Sequence, residues 1–257
     1  DLADDPTEKT FSNTTKAGSG LAAVGDYVFA SVDIYGWSDN HYIFDIEGDL
    51  TDFDNFPKIG NQHYAWSQTQ SRLYSFSLNT RSLSGGSPLL LKYEEIDQGS
   101  GMVIFTDEVP TRGSYRIHGP IRLSANEQYI FLGSGDIYNT VDLSWVSSIG
   151  SSVDDALWLP DNSLVTLYSD DDTSVLRRYD PTRALVETVF FNGDPLGVFN
   201  TGAGITVLTS DSDTVTIQDY IPTNDSDSDG TINSLDDFPM DIAATIDSDH
   251  DGSPDAW

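Results

Sequence analysis

Near the C-terminal end, Asp225, Asp227 and Asp229 stand at alternate positions and are followed at once by Gly230. Asp247, Asp249, Asp251 and Gly252 repeat the arrangement 22 residues later. A hard divalent cation such as calcium takes about six to eight oxygen ligands, so a site for it needs several carboxylates and a carbonyl converging on one point. Alternate Asp residues supply three such oxygens, and glycine in the sixth place permits the sharp turn that brings a later carbonyl inward. The first loop then offers Asp225, Asp227, Asp229, the Thr231 carbonyl, Asn233 and Asp236, with Asp standing where a bidentate Glu would close the site. The second offers Asp247, Asp249, Asp251, the Ser253 carbonyl and Asp255. It stops at Trp257, one residue short of its twelfth position, so the repeat is expected to continue or the second site to be incomplete. Asp237 and Asp241 are further candidate ligands.

A solvated acidic linker would account for the charge, but not for two copies at one spacing. Without the cation, the same carboxylates repel one another and leave the segment unfolded.

The text DSDSDGTINSLDDFPMD, followed by DSDHDGSPDAW, resembles the thrombospondin type 3 repeat of secreted bacterial proteins, including the Phe238-Pro239 pair between copies. The resemblance covers about the last 33 residues. It implies calcium held by the Asp side chains, little regular secondary structure, and a linker role between modules outside the cell. DGTINSLD is also similar to a dockerin loop, but Asp237-Phe238-Pro239 interrupts the helix that a dockerin needs.

The preceding chain must position whatever this tail serves. Its 12 basic and 42 acidic residues give a net charge of -30, which argues against nucleic acid as a partner. Ten Asp and no Lys or Arg fall in residues 224–257, leaving 32 acids against 12 bases, or -20, for residues 1–223. There is no cysteine, hence no disulfide or zinc–thiolate site, and no apolar run long enough to span a bilayer. The N-terminal stretch lacks the pattern of a signal peptide and reads as that of a mature or excised chain, any export signal having been removed.

Residues 1–20 read as a polar lead-in, residues 21–223 as one β domain, and residues 224–257 as the calcium-binding repeats. Within the β domain, short runs rich in branched and aromatic residues alternate with Gly, Asn, Asp and Ser, as at Tyr27–Ala30, Gln128–Leu132 and Ser163–Tyr168. Second-strand starts near residues 27, 64, 129, 164 and 205 are spaced by 37, 65, 35 and 41. A four-stranded antiparallel unit recurring about every 40 residues is the mark of a β-propeller, here of about five blades, with an irregular blade or a long hairpin in the widest gap. A sandwich of short strands is the alternative.

No nucleophile elbow, phosphate loop or zinc-protease motif occurs. His41, His63, His118 and His250 are scattered and read as packed or hydrogen-bonded side chains. Glu94-Glu95 and Asp154-Asp155 read as solvated turns rather than glycosidase pairs. Asp170, Asp171 and Asp172, and again Asp211 and Asp213, read as hairpin turns. Tyr35 and Trp37 lie in a polar loop where rings could stack on a sugar or a partner, or pack between blades. Trp66, Trp145 and Trp158 read as core.

These readings converge on an extracellular or cell-surface bacterial binding and adhesion module, with a glycan or another surface protein as partner and calcium rigidifying its C-terminal linker. The competing expectation is a propeller hydrolase or lyase, acting on polysaccharide or a small ester with a metal in its central channel. A cluster of carboxylate, Asn or His at the channel mouth would separate the two.

Overall fold

The computed structural model describes residues 18–32, 40–54, 63–78, 89–110, 118–201, 204–212 and 214–220, together with 237–238, 243–244, 247–248 and 252–255. The described residues form strands and turns without a helix, and none of their segments is a helix long and apolar enough to cross a membrane. The chain divides into two compact units, one of Asp1–Val198 with Leu208–Thr216 and one of Phe199–Val207 with Ile217–Trp257.

Five antiparallel sheets follow one another along the chain, each a simple meander. The first comprises β1 (Gly18–Val24), β2 (Tyr27–Val32), β3 (Asn40–Asp45) and β4 (Leu50–Asp54). The second comprises β5 (Ala65–Ser67), β6 (Arg72–Leu78), β7 (Leu89–Ile96) and β8 (Val103–Pro110). The third comprises β9 (Ile121–Leu123), β10 (Tyr129–Leu132), β11 (Asp136–Asn139) and β12 (Trp145–Ser148). The fourth comprises β13 (Asp155–Trp158), β14 (Leu164–Asp170), β15 (Thr173–Tyr179) and β16 (Leu185–Asn192). The fifth comprises β17 (Asp194–Asn200), β18 (Ile205–Asp211) and β19 (Thr214–Tyr220). These are the blades of a β-propeller, and the fifth has three strands rather than the expected four among the described residues.

Second strands start at Tyr27, Arg72, Tyr129, Leu164 and Ile205. The expected start near residue 64 is therefore corrected, because Tyr64 precedes β5, a first strand. Among the described residues, the wide gap holds no extra blade. It is taken up by the long connections from β6 to β7 and from β8 to β9.

Alternation along each strand sends one row of side chains to each neighbouring blade. Val24, Phe29 and Ile43 of blade one thus pack with Leu73 and Ile96 of blade two. Tyr74, Phe76, Leu91 and Tyr93 of blade two meet Ile121, Ile130, Leu132 and Tyr138 of blade three. Phe131 and Ile137 of blade three meet Trp158, Leu164 and Tyr179 of blade four. Trp145, expected in the core, is instead 39% exposed, because β12 is the outermost strand of its blade and has a neighbour on one edge only.

The third-to-fourth-strand turns share a chemical signature. Each opens on an Asp or Asn, at Asp45, Asp97, Asn139 and Asp180, and reaches a left-handed residue, at Gly48, Gly101, Leu143 and Arg183. The opening side chains accept backbone N–H groups of the turn, as Asp180 Oδ1 does from Thr182 at 2.8 Å and Ala184 at 3.0 Å. Much of the acid in the propeller is therefore turn chemistry.

Candidate functional site

First strands of successive blades adjoin, β1 beside β5, β5 beside β9 and β9 beside β13, so they line the axis. In a meander, the beginnings of the first strands share one end of the blades with the second-to-third-strand turns. His63 lies two residues before β5, His118 three residues before β9, and Asp155 opens β13. All three therefore gather at one axial end, together with Arg122 of β9.

Their geometry is tight. Arg122 Nη2 donates to Asp155 Oδ1 at 2.6 Å, and Arg122 Nε donates to the Ala156 carbonyl at 2.9 Å. Asp155 Oδ1 also accepts the Ala156 N–H at 2.8 Å, while Asp155 Oδ2 accepts the Val198 N–H of β17 at 3.0 Å. One carboxylate thus joins the first strands of blades three, four and five. The expectation of a solvated turn at Asp154-Asp155 is corrected for Asp155, which is 8% exposed, while Asp154 remains exposed and accepts the Ser169 N–H at 2.8 Å. Glu94 is corrected likewise: it is fully buried and pairs with Lys92 at 2.5 Å. Glu95 is half-buried and bound by Arg72 at 2.9 Å.

His63 packs as expected, its ring lying so close to Gly119 that a Cβ there would come within 1.9 Å of it. Burial lowers the pKa of His63 from 6.5, and the charges of Arg122 and His118 lower it further against the opposing pull of Asp155. Neutral imidazole is thus the form that this site favours at neutral pH. His118 is exposed, and its Nδ1 lies 2.7 Å from the Gly119 carbonyl. Trp158, a core residue as expected, donates its indole N–H to the Arg122 carbonyl at 3.2 Å and lies 4.6 Å beneath the Arg183 guanidinium.

The opposite end carries a second inter-blade lock. Glu127, at φ 53 in the β9–β10 turn, accepts the Ser67 hydroxyl at 2.6 Å, the Thr69 N–H at 3.1 Å and the Thr69 hydroxyl. Burial pushes the Glu127 carboxyl up, but these hydrogen bonds prevail and hold it below its usual 4.5.

The acidic hairpins form turns as expected, with Asp171 at φ 52 and Ser212 at φ 53. Asp172, Asn192, Asp194 and Asp211 line a pocket of about 540 Å³ between these turns. Asp213, Tyr35, Trp37 and His250 lie outside the described residues, as does the side chain of His41.

Of the candidate calcium ligands, Asp237, Asp247, Ser253 and Asp255 are described, while Asp225, Asp227, Asp229, Thr231, Asn233, Asp236, Asp249 and Asp251 lie outside the described residues, as does Asp241. In the second loop, the Gly252 N–H donates to Asp247 Oδ2 at 2.8 Å, with Gly252 at φ +82. Asp255 accepts the Ser248 N–H at 3.2 Å and also the Ser248 hydroxyl, and Asp237 accepts the Asp247 N–H at 2.8 Å. Among the described residues, no group of three or more His, Cys, Asp or Glu side chains converges as a metal cage.

No protein-family model matches the chain, and no curated protein matches it. Solved structures do. The Dos1 propeller superposes with a TM-score of 0.57 at 12% identity, over 79% of this chain and 56% of that one. Sqt1 from Chaetomium thermophilum superposes at 0.53 and 12% identity, over 77% and 55%. A protein of unknown function from Bacteroides caccae superposes at 0.54 and 8% identity, over 80% and 78%. The chain spans little more than half the length of the first two. At these identities the likeness concerns the fold, and it establishes the β-propeller.

Proposed function

We propose that this chain is an extracellular or cell-surface binding and adhesion module, in which a five-bladed propeller presents the ligand surface and calcium-binding Asp loops follow it. One observation carries the calcium part. Asp247 is a buried carboxylate that receives the N–H of the glycine five residues on, and that glycine is in the left-handed conformation. This is the turn that alternate-Asp chemistry needs in order to bring a carbonyl inward. The donor set is all oxygen, which suits a hard cation. Asp247, Asp249, Asp251, the Ser253 carbonyl and Asp255 would hold one ion, and Asp225, Asp227, Asp229, the Thr231 carbonyl, Asn233 and Asp236 another. Bound calcium supplies the positive charge that lets neighbouring carboxylates approach.

Calorimetric titration of the chelator-treated chain tests this reading. Dissociation constants of about 10⁻⁴–10⁻³ M are expected, as for extracellular calcium modules, together with protection of the tail from protease. Absence of both heat and protection at about 10 mM calcium would overturn it.

A further inference from the structure

We infer that the outer part of blade four, around Arg177, Thr188 and Phe190, docks an extended peptide segment that carries one acidic side chain and, two residues on, an apolar one. The inference rests on the binding-module reading and names its partner class, but it does not depend on the calcium loops.

An unused cation gives the first argument. Among the described residues, Arg72, Lys92, Arg122 and Arg178 each pair with an acid, and Arg183 donates to the Asn162 and Pro181 carbonyls. Arg177 differs from them. Its Nε is buried without a hydrogen-bond partner, and its guanidinium rests against the Tyr168 ring, 5.0 Å from the centroid, with no acid beside it among the described residues. The chain holds 42 acidic residues against 12 basic ones, so a guanidinium that none of its own acids has taken is open to a carboxylate from a partner.

Strand register places the apolar contact. Arg177 of β15 stands opposite Thr166 of β14 and Thr188 of β16, and in the adjoining row Val175 stands between Tyr168 and Phe190. Residues paired in this way share one face of the sheet. Tyr168 packs toward blade three, so Arg177, Thr188 and Phe190 lie on that face as well. β16 is the last strand of its blade, and this part of it is uncovered, with Thr188 exposed and Phe190 66% exposed. The Cβ atoms of Thr188 and Arg177 are about 5 Å apart, as in any direct cross-strand pair, so a carboxylate resting over the short Thr188 side chain meets the guanidinium. Phe190 follows two residues on, about 7 Å along the strand. An extended peptide has the same rise and alternation, so its side chains two positions apart match Arg177 and Phe190 together.

The surrounding acids limit the partner to one carboxylate. Glu187 points to the opposite face and is taken by Arg178, but Asp170 shares the face of Arg177, two rows away beside Thr173 and Asn192. A polyanion would meet Asp170 and the net charge of -30. A single carboxylate is shielded from the more distant acids, because the screening length is about 8 Å at about 0.15 M salt.

The test is calorimetry of the whole chain at about 0.15 M salt with the capped peptide acetyl-Thr-Glu-Val-Phe-Thr-amide and its counterpart with Gln in place of Glu. The Glu peptide is expected to bind about fivefold more tightly than the Gln peptide, and Arg177→Gln to erase that difference with an unchanged melting temperature. Phe190→Ser is expected to weaken both peptides by the same factor. Equal binding of the two peptides by the parent chain would overturn the inference, as would a Glu preference that survives Arg177→Gln or a Phe190→Ser variant that binds like the parent. Sedimentation of the chain without peptide covers the other occupant: a dimer that Phe190→Ser dissociates would make a second copy the partner and overturn the inference too. Since the calcium reading is judged by calcium heat and tail protection alone, either can fail without the other.

Discussion

Arg122 and Asp155 meet at 2.6 Å across the seam between β9 and β13, and the carboxylate's other oxygen reaches into the next blade to take the Val198 N–H. Asp155 therefore holds three successive first strands, and its removal leaves one guanidinium N–H and the backbone N–H groups of Ala156 and Val198 without that acceptor.

Asp155→Ala is accordingly expected to cost about 1–3 kcal/mol, the range for buried donors left without an acceptor, because Arg122 is 39% exposed and can turn to water. Asp155→Asn should cost less, because the amide oxygen can still accept one of the bonds. Chemical denaturation of the two variants beside the parent chain measures both.

Acid should loosen the same end of the propeller. The folded pKa of His63 lies below 6.5, so around and below that value the unfolded chain binds more protons than the folded one. The His63 contribution is fully present above 6.5 and is lost as pH falls through the folded value. Melting temperature should drop as pH falls below 6.5, and His63→Gln should flatten that part of the profile.

At the other end, Glu127→Ala removes the acceptor of Ser67 and both donors of Thr69. A loss of about 1–3 kcal/mol is expected. Because the folded carboxyl sits below 4.5, this contribution is present above that pH and fades below it, so the variant and the parent should converge in strong acid.

A methyl group at Gly119 would collide with the His63 ring, 1.9 Å from its nearest atom. Gly119→Ala should destabilise by about 1–3 kcal/mol. Adding His63→Ala should recover part of the loss, with a coupling of about 0.5–3 kcal/mol in the double-mutant cycle.

Blade content was legible because each strand is a run of branched and aromatic residues, and three of the four later second-strand starts fall where periodicity puts them. The start in blade two was not, because Tyr64 to Ser67 has the same aromatic texture as a second strand. The axial cluster was illegible for a different reason: His63, His118, Arg122 and Asp155 are spread over more than 90 residues and are joined only by the closing of blades around an axis. Asp155 was further masked by the abundance of Asp elsewhere, most of it spent on turns. A usable signal did exist in the Asp or Asn that opens each third-to-fourth-strand turn. It was hidden because only two of the four left-handed residues that follow are glycine, the others being Leu143 and Arg183.

Glu127 has a backbone geometry that glycine would adopt with less strain and a carboxylate that glycine lacks. Conformational relief and the seam between blades therefore pull that position in opposite directions. A stabilisation scheme that scores residues only by local dihedral preference would choose Gly or Asn there and unfasten two blades in doing so. Position 127 is a place where redesign guided by turn statistics alone should be expected to fail.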